Sequence, residues 1–434
     1  MNILIIENVW IGKGKYGFFD KTLLNSFSIL PTLYARQIAA ITPKKHKVTL
    51  VNERYSKIDF EKSYDLVNIN FTTSTSKRAY EIAKKFRENN AKVVLSGMHP
   101  SAVPKESIRY ADSVQLGRGE NNWNKLLDDF EKNNLKKFYK PISYKKISIP
   151  PTNLQLPGFV FTGAIEATRG CPYGCNFCPE AKTNENTKFY KRPIDDVIDE
   201  LKEIKQKTVM FYDASLTIDI DYTKSLFNEM MPLKKKFFCN GNVNVLANDR
   251  EFVELSKKAG CLSWLVGFES VSQETINSVG KTTNKVDEYI RAVDNIHNNK
   301  MTVIGDFMFG FDKDKKNVFS KTLKMIKDLK IDVADFCILT PFPGTKIYEK
   351  LIAENRILTK DWSKYNLKNV VFKPKNMNAE ELTIGVRKMY KEFYSTPYTS
   401  KRILKSLKLG VYPFFLIMFR NIIANMNSKK LYIE

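Results

Sequence analysis

The sequence predicts an α/β protein with an N-terminal doubly wound parallel sheet (Rossmann-like), a central partial (β/α)6 barrel and a C-terminal helical extension. Short apolar runs rich in β-branched residues alternate with amphipathic helical stretches, a rhythm that is typical of parallel sheets. This alternation stops once, at a proline-rich stretch, and then starts again. A chain of 434 residues is long enough for two or three domains with ample cores.

The first predicted domain covers residues 1–130. Helical patterns at about 31–41, 76–89 and 101–109 separate its five apolar strands, which are Ile3–Ile6, Val48–Val51, Leu66–Phe71, Val93–Leu95 and Val114–Leu116. The predicted linker covers residues 131–157, because charged residues give way there to a series of prolines: Pro141, Pro150, Pro151 and Pro157.

The predicted barrel domain covers residues 158–345. Its strands are expected near residues 160–167, 208–213, 237–243, 262–268, 302–309 and 332–338. These six β/α units suffice for a partial barrel and fall short of the eight units of a closed one. The remaining residues, 346–434, form the predicted helical extension.

Three cysteines, Cys171, Cys175 and Cys178, follow the first barrel strand with the spacing CxxxCxxC. No other cysteine lies within 60 residues on either side. Three thiolates can hold three irons of a 4Fe-4S cluster and leave the fourth iron open to bind and reduce a substrate. The amino and carboxylate groups of S-adenosylmethionine can chelate such an iron, so the triplet predicts a cluster that binds this molecule.

Other roles for the triplet are less favoured by the sequence. A structural zinc site normally needs four ligands, and none of the three histidines is close to the triplet in the chain: His46, His99 and His297. A disulfide is also less favoured, because no signal peptide is recognisable and six cysteines in this length predict a cytoplasmic protein. The remaining cysteines are predicted to be packing residues: Cys239, Cys261 and Cys337.

The stretch Arg169–Pro179, together with the strand before it, resembles the signature of the radical SAM superfamily. The resemblance implies that Cys171, Cys175 and Cys178 bind the cluster. It also implies that Phe177 packs against the adenine of S-adenosylmethionine.

Further motifs of the predicted barrel match this family. The resemblance implies that Asp213 faces the methionine part of S-adenosylmethionine and that Glu269 lies near its ribose hydroxyls. Gly305 and Gly310 would offer backbone to the adenine, since glycine permits close approach. Helix capping, salt bridges or strand packing are the alternative roles of these four residues. The turn at 341–345, Pro-Phe-Pro-Gly-Thr, also matches, and no residue is assigned a catalytic role on the substrate.

The first domain resembles the cobalamin-binding domain that precedes the barrel in one radical SAM subgroup. Residues 70–83, 93–101 and 111–120 carry this likeness, and with the barrel motifs it extends to about residue 385. The loop at 7–14 lacks the DxHxxG histidine that ligates cobalt in other cobalamin proteins. His99 is the only histidine in a suitable loop, where it could contact the cofactor or bond to backbone. Cobalamin is therefore a candidate third cofactor.

The resemblance implies an enzyme that cleaves S-adenosylmethionine reductively to a 5′-deoxyadenosyl radical and functionalises an unactivated carbon. The first hypothesis is cobalamin-dependent C-methylation of a lipid or isoprenoid, with a one-electron reductant such as flavodoxin or ferredoxin as partner. Cyclisation, coupling or rearrangement of a natural product or pigment precursor without cobalamin is the alternative. Nucleic-acid modification and a non-enzymatic cluster or corrinoid carrier are less favoured, since residues 1–170 hold no cysteine for a further cluster and the S-adenosylmethionine motifs are present.

The net charge of +23 is compatible with an anionic membrane, nucleic acid or a lysine-rich proteome, because the basic residues are scattered. Lys401–Gly410 is basic and amphipathic, and the apolar run Val411–Phe419 is too short, and interrupted by Pro413, to span a bilayer. The tail could lie on an anionic membrane or pack onto the barrel. The preceding stretches, Asp361–Asn366 and Val370–Pro374, resemble the extension of hopanoid C-2 methylases. A cytoplasmic protein with peripheral membrane contact is therefore predicted.

Overall fold

We describe a computed structural model of the protein over residues 1–7, 33–53, 57–140, 162–183, 189–411, 414–415 and 417–422. Its described part contains two six-stranded sheets and one small two-stranded sheet. All neighbouring strands of the two large sheets are parallel. The predicted α/β class, with a doubly wound sheet followed by a six-stranded partial barrel, is confirmed.

The N-terminal sheet has the strand order β2-β1-β3-β4-β5-β6. Its strands are β1 (Asn2–Glu7), β2 (Lys47–Asn52), β3 (Leu66–Asn70), β4 (Lys92–Ser96), β5 (Ser113–Gln115) and β6 (Phe138–Tyr139). Its helices are α1 (Tyr34–Ile41), α2 (Ser76–Glu88), α3 (Met98–Ala102), α4 (Pro104–Ser107) and α5 (Glu120–Glu131). The chain leaves β1 towards one edge and returns to β3 on the other side, which places a crevice at the carboxyl ends of β1 and β3.

The strands of this sheet are apolar because both of their faces are covered. On one side, Val67 and Ile69 pack with Ile82 and Phe86 of α2. On the other side, α1 and α5 supply a second apolar layer in which Trp123 is completely buried. The indole Nε1 of this tryptophan donates a hydrogen bond to Thr42 Oγ1 at 2.8 Å, so its one polar atom is satisfied.

The sheet runs beyond the predicted domain boundary at residue 130. Strand β6 lies in the segment that was predicted to be linker, and its Phe138 pairs with Val114 of β5. This strand has only two residues, and Phe138 is 37% exposed, so it leaves no apolar run in the sequence. The linker prediction for 141–157 falls outside the described residues.

The barrel domain begins with β7 (Thr162–Ile165) and the small antiparallel pair β8 (Thr168–Arg169) and β9 (Tyr190–Lys191). Its further strands are β10 (Thr208–Phe211), β11 (Lys236–Gly241), β12 (Cys261–Glu269), β13 (Thr302–Phe309) and β14 (Val333–Ile338). The order β14-β13-β12-β11-β10-β7 leaves the curved sheet open between its first and last strands.

Eleven α-helices with named bounds follow β7 in the described part of the chain, and residues 417–422 are also helical. The first six are α6 (Glu180–Thr183), α7 (Ile194–Glu203), α8 (Ile220–Met230), α9 (Val243–Asn248), α10 (Arg250–Ala259) and α11 (Gln273–Ser278). The last five are α12 (Tyr289–Asn298), α13 (Val318–Asp328), α14 (Lys346–Ala353), α15 (Ala379–Phe393) and α16 (Thr396–Ser406). In the described residues no helix is both long and apolar enough to cross a bilayer.

Alternation along the barrel strands separates an outer core from an inner lumen. Phe309 of β13 packs on Phe319 of α13, and Phe336 of β14 packs on Phe393 of α15, so these rings face the helices. The residues that alternate with these phenylalanines along β13 and β14 are only partly buried, and their side chains point to the opposite side of the sheet. This side is the lumen, and it carries Asp306, Met308, Asp335 and Cys337.

The C-terminal extension covers the free edge of β14. Tyr394 Oη donates to Ala334 O at 2.8 Å and accepts from Ala334 N at 3.1 Å. Tyr390 Oη accepts from Phe336 N at 3.1 Å. These tyrosine hydroxyls replace the neighbouring strand that an incomplete barrel lacks, so the edge presents few unpaired backbone groups.

Replacing Tyr394 with phenylalanine is expected to lower the free energy of unfolding by about 1–3 kcal/mol, because Ala334 would keep a buried donor and acceptor without partners. Chemical denaturation measures this cost. Tyr398→Phe is the control, since its hydroxyl belongs to a side chain that is 41% exposed, and we expect a change within about 0.5 kcal/mol. Equal losses in the two variants would contradict the edge-covering role.

Candidate active site at the facing edges of the two sheets

The three-cysteine loop follows β8 and is held in place by two other strand ends. Asn176 N donates to Val279 O at 2.9 Å, in the segment after β12. Ile347 N donates to Asn176 O at 3.0 Å, at the start of α14 after β14. The loop therefore lies at the carboxyl ends of the barrel strands, where barrel active sites are found.

The thiols of Cys171, Cys175 and Cys178 are free and lie in partly buried residues. Burial raises the pKa of all three thiols, in Cys178 to about 12. The Lys281 ammonium acts against this rise in the pKa of Cys171 and Cys175. A positive charge beside the loop favours the thiolates that bind iron.

The donor set fits three corners of a cubane cluster. Among the described residues, no three His, Cys, Asp or Glu side chains gather around one point as ligands of a single metal ion. A cubane cluster does not need its ligands around one point, because each of the three irons that the protein binds takes one thiolate. Cys171, Cys175 and Cys178 supply three soft sulfur ligands on one short loop, as such a cluster requires.

Glu269 and Lys281 form an ion pair at the end of β12. Lys281 Nζ lies 2.7 Å from Glu269 Oε1, and Lys281 is 14% exposed. Burial works against the charge of Lys281, but Glu269 and the nearby cysteines outweigh it, so the pKa of Lys281 is raised. The pairing of β12 with β13 shifts between Gly267 and Glu269, and Glu269 has a left-handed φ of 60°. This bulge turns the carboxylate of Glu269 towards the loop of cysteines.

Asp213 lies just after β10, at the carboxyl end of a barrel strand as predicted, and its hydrogen bonds are to the chain itself. It is completely buried and accepts hydrogen bonds from Ala167 N at 3.1 Å and from Thr168 Oγ1 at 2.6 Å. Burial raises the pKa of Asp213 to about 6, although these bonds act in the opposite direction. Its oxygens are engaged by the turn that leads into the cysteine loop, so Asp213 positions that loop. Its contact with the methionine part of S-adenosylmethionine stays a prediction.

Phe177, Gly305 and Gly310 all have packing contacts. Phe177 packs edge-to-face against Phe311, with ring centroids 5.7 Å apart. A side chain at Gly305 would meet the rings of Phe268 and Phe307 at 3.1 Å, and one at Gly310 would meet Leu382 at 2.8 Å. Both glycines therefore serve strand packing, the alternative that the sequence left open. The adenine contacts of Phe177, Gly305 and Gly310 stay predictions.

His99 lies inside a closed cage and does not face a crevice. Its side chain is completely buried, its Nε2 is 3.6 Å from Glu106 Oε1, and the ring of Trp362 is 5.3 Å away. Trp362 Nε1 donates to Glu106 Oε1 at 3.0 Å. Because Trp362 belongs to the extension, His99 joins the first domain to the C-terminal region. No face of its ring is open to a corrinoid in this arrangement, which argues against the predicted cofactor contact.

A buried ion network joins the two domains directly before the cysteine loop. Arg118, which follows β5, pairs with Glu166, which follows β7. Arg169 Nε lies 2.7 Å from Glu166 Oε2, and its Nη2 lies 3.2 Å from Glu120 Oε1. Arg169 and Glu166 are almost fully buried, and their opposite charges compensate one another. The carboxyl edges of the two sheets therefore face each other.

The facing edge of the N-terminal sheet is polar, and it fits a cobalamin. Asn68 and Ser96 are completely buried, and Ser96 Oγ donates to Asn68 Oδ1 at 3.2 Å. Nearby, Tyr34 Oη donates to Gln115 Oε1 at 3.1 Å. Tyr34 also has side-chain hydrogen bonds with Ser96 and Asn68. These buried polar side chains lie near the carboxyl ends of the strands, where a doubly wound sheet binds its ligands, and they suit a cofactor with polar groups.

Residues 165–326 match the family model described as the Radical SAM superfamily. The chain carries a radical SAM domain. It is 29% identical to the bacteriochlorophyllide d C-12(1)-methyltransferase of Chlorobaculum tepidum, over 94% of this chain and 91% of that protein. It is 22% identical to the hopanoid C-2 methylase of Rhodopseudomonas palustris, over 46% of this chain and 39% of that protein.

Two solved structures share the fold of this chain. One is the methyltransferase TsrM from Kitasatospora setae with cobalamin and a [4Fe-4S] cluster bound, with a TM-score of 0.66, 15% identity, and coverage of 81% of this chain and 78% of that one. The other is the cobalamin-dependent radical enzyme OxsB with aqua-cobalamin and S-adenosylmethionine bound, with a TM-score of 0.68, 13% identity, and coverage of 98% and 72%. The predicted radical SAM domain is confirmed, and the likeness to these two cobalamin-dependent enzymes shows a shared fold.

Three residues of the radical SAM domain were missed by the sequence interpretation. Lys281 stands in no motif, and only the folding of α11 brings it to the cysteines. Asp306 and Asp335 are register partners on adjacent strands and share the lumen. Burial, with the Asp335 and Glu269 charges, raises the pKa of Asp306 to about 8. Strand alternation was the signal that could have placed Asp306, since it lies between two outward-facing residues.

Proposed function

We propose that this protein is a cobalamin-dependent radical SAM methyltransferase that methylates an unactivated carbon of a large, mostly apolar ring substrate of the chlorophyllide type. One observation carries the proposal: the three-cysteine loop and the polar crevice of the N-terminal sheet lie on facing carboxyl edges. A substrate between these edges would reach both cofactors. The methyltransferase relative that matches along 94% of this chain supports the chemistry.

The bound cofactors would supply the reactive species: the cluster an electron for S-adenosylmethionine, S-adenosylmethionine a carbon-centred radical, and the corrinoid a methyl group. The protein binds, orients and shields. We propose that Cys171, Cys175 and Cys178 hold the cluster and that an external one-electron reductant, such as flavodoxin or ferredoxin, recharges it. The buried network of Arg118, Glu166 and Arg169 fixes the loop relative to the N-terminal domain.

The Glu269–Lys281 pair would orient S-adenosylmethionine. Its amino acid part carries one carboxylate and one ammonium group, and the pair offers one charge of each sign beside the cysteines. Asp306 would face the substrate from the lumen. With its pKa raised to about 8, its carboxyl group is protonated near neutral pH and can donate a hydrogen bond to a carbonyl or carboxylate of the substrate.

Replacing Gly267 with alanine is expected to weaken binding of S-adenosylmethionine by about tenfold or more. The added Cβ would lie 2.5 Å from Glu269 Oε1 and 2.8 Å from Lys281 Nζ, so the ion pair must move. Isothermal titration of the reconstituted protein measures the affinity. The matched control is Gly174→Ala, because a Cβ there meets no atom within 4 Å. An unchanged affinity in Gly267→Ala would remove the pair from this role.

The test of the proposed function is anaerobic reconstitution with iron, sulfide and hydroxocobalamin, followed by incubation with reductant, S-adenosylmethionine and a chlorophyllide. We expect 5′-deoxyadenosine, S-adenosylhomocysteine and a product heavier by one CH2 unit. The product should depend on the corrinoid. Formation of 5′-deoxyadenosine without any methylated product or corrinoid dependence would contradict methyl transfer and leave the radical chemistry.

One comparison favours radical cyclisation as a second candidate. The chain is 26% identical to the anaerobic magnesium-protoporphyrin IX monomethyl ester cyclase of Cereibacter sphaeroides, over 73% of this chain and 48% of that protein. The same assay with a magnesium-porphyrin ester separates the candidates. A cyclase would give a product without added carbon and no S-adenosylhomocysteine, whereas a methyltransferase would give both the added carbon and that by-product.

A further inference from the structure

Helix α16 has a reversed distribution of apolar and polar side chains. The residues that it buries against the protein are small and polar: Thr399 is 7% exposed and Ser406 is 1% exposed. On the opposite side, Leu404 is 66% exposed and Leu407, in the turn that follows the helix, is 58% exposed. A helix that only packs onto its own domain hides its leucines, so this arrangement points to a partner for the outer side.

The outer side is basic as well as apolar. Lys401, Lys405 and Lys408 are exposed. At 100° per residue they fall on the same half of the helix as Leu404 and Tyr398. We call six of the exposed residues on this side the basic apolar face: Tyr398, Lys401, Leu404, Lys405, Leu407 and Lys408. No acidic residue is among them, so the face complements an anionic surface that also accepts apolar side chains.

A basic groove adjoins this face. The groove has a volume of about 640 Å³ and lies between α13, α15 and α16. Four of its lining residues are cationic, namely Lys327, Arg387, Lys388 and Lys391, and Glu392 is the one acidic residue that lines it. Tyr398 lines the groove and also belongs to the basic apolar face, so the two features are continuous. Lys327 Nζ donates to Tyr398 Oη at 3.0 Å and fixes this junction.

The inner side of the helix is anchored, so the leucines cannot turn inwards. The guanidinium carbon of Arg402 lies 3.9 Å from the ring centroid of Phe393. Arg402 Nη2 donates to Asn421 Oδ1 at 2.7 Å, and Asn421 Nδ2 donates to Asp332 O at 3.1 Å. These buried polar bonds connect α16 and the residues around Asn421 to the start of β14. The helix therefore keeps Leu404 and Leu407 outside.

We propose that the basic apolar face and the groove dock the protein on the surface of a bilayer that contains anionic phospholipids. The leucines enter the boundary between headgroups and acyl chains, and the lysines and the groove receive headgroup phosphates. An acidic protein would match the lysines but would leave the leucines exposed at its polar rim, so the bilayer accounts for both features. This inference goes beyond the proposed function and does not depend on it, because docking requires neither turnover nor a corrinoid.

Vesicle flotation of the full-length reconstituted protein tests the proposal. We expect binding to vesicles in which phosphatidylglycerol replaces part of the phosphatidylcholine, little binding to pure phosphatidylcholine, and release at high salt as the Debye length shrinks. Reversing Lys401, Lys405 and Lys408 to glutamate should weaken binding about 100-fold, at about fivefold per lysine or more. Leu404→Ser with Leu407→Ser should weaken it by at least about tenfold.

The matched control reverses three exposed lysines of the N-terminal domain and causes the same change in net charge: Lys44, Lys125 and Lys132. Vesicle binding that survives this control and is lost in the other two variants supports the proposal. Equal loss in both lysine variants would show that net charge alone acts and would overturn it. Absence of binding to anionic vesicles would also overturn it, as would a serine variant that binds normally. Cluster absorbance confirms that each variant has folded.

Discussion

Replacing Cys178 with alanine is expected to remove essentially all cluster iron from the reconstituted protein, and with it the cleavage of S-adenosylmethionine. The described residues offer no further soft ligand on the loop, because the other cysteines lie on barrel strands. A cluster held by two thiolates would lack one of its three attachment points. Iron analysis and visible absorbance after anaerobic reconstitution measure the loss.

Cys337→Ala is the matched control for this variant. Cys337 is a partly buried free thiol of β14 in the lumen, and it shares no loop with the triplet. The control should keep its full iron content and its visible absorbance. If Cys178→Ala kept its iron, or if Cys337→Ala lost it to the same degree, the assignment of the cluster to the loop would be wrong.

Asp306→Asn is expected to make the protein more stable at alkaline pH, by at least about 2 kcal/mol at pH 9. The pKa of Asp306 is about 8 in the folded chain, against an ordinary value of 3.8. Between these values only the folded chain holds the proton, so raising the pH favours unfolding by as much as about 1.4 kcal/mol per pH unit. Asparagine has no proton to lose. Urea denaturation from pH 5 to pH 9 should therefore show a smaller decline in the variant.

Asp335→Asn tests the origin of this shift. Asp335 is the register partner of Asp306 on the next strand, and its negative charge is one cause of the raised pKa of Asp306. Removing that charge should lower the pKa of Asp306 and move the alkaline end of the stability decline to lower pH. A wild-type stability that does not fall between pH 5 and pH 8 would contradict the raised pKa and the protonated donor in the lumen.

Local sequence patterns were sufficient for every strand of the two large sheets except β6. Runs such as Leu66–Phe71 and 302–309 are mostly apolar because strands of a parallel sheet are covered on both faces. Such a run can be recognised in the sequence even when the residues that pack against it are not known. The triplet at Cys171, Cys175 and Cys178 was equally local, since its spacing and the strand before it lie within one short stretch.

The contacts that the sequence did not predict form only in the folded chain. Asp213 stands at a strand end in the sequence, but its oxygens are taken up by a turn 45 residues away. His99 stands in a loop, but Trp362 closes over it from the C-terminal extension. Lys281 follows α11, and the fold brings it next to the cysteines and to Glu269. These contacts join residues that are far apart in sequence, so neither motif spacing nor hydrophobic periodicity predicts them.

The tyrosine hydroxyls on the last strand have a consequence for how the chain can be shortened. Tyr390 and Tyr394 satisfy Phe336 and Ala334 as a seventh strand would, although they come from a helix. A truncation before Ala379 would leave that strand with open hydrogen-bonding groups next to exposed aromatic rings. Such a fragment would recruit other copies of itself and precipitate, while its cysteine loop stayed intact in sequence. Shortened forms for crystallisation should therefore retain the whole of α15 and Tyr394.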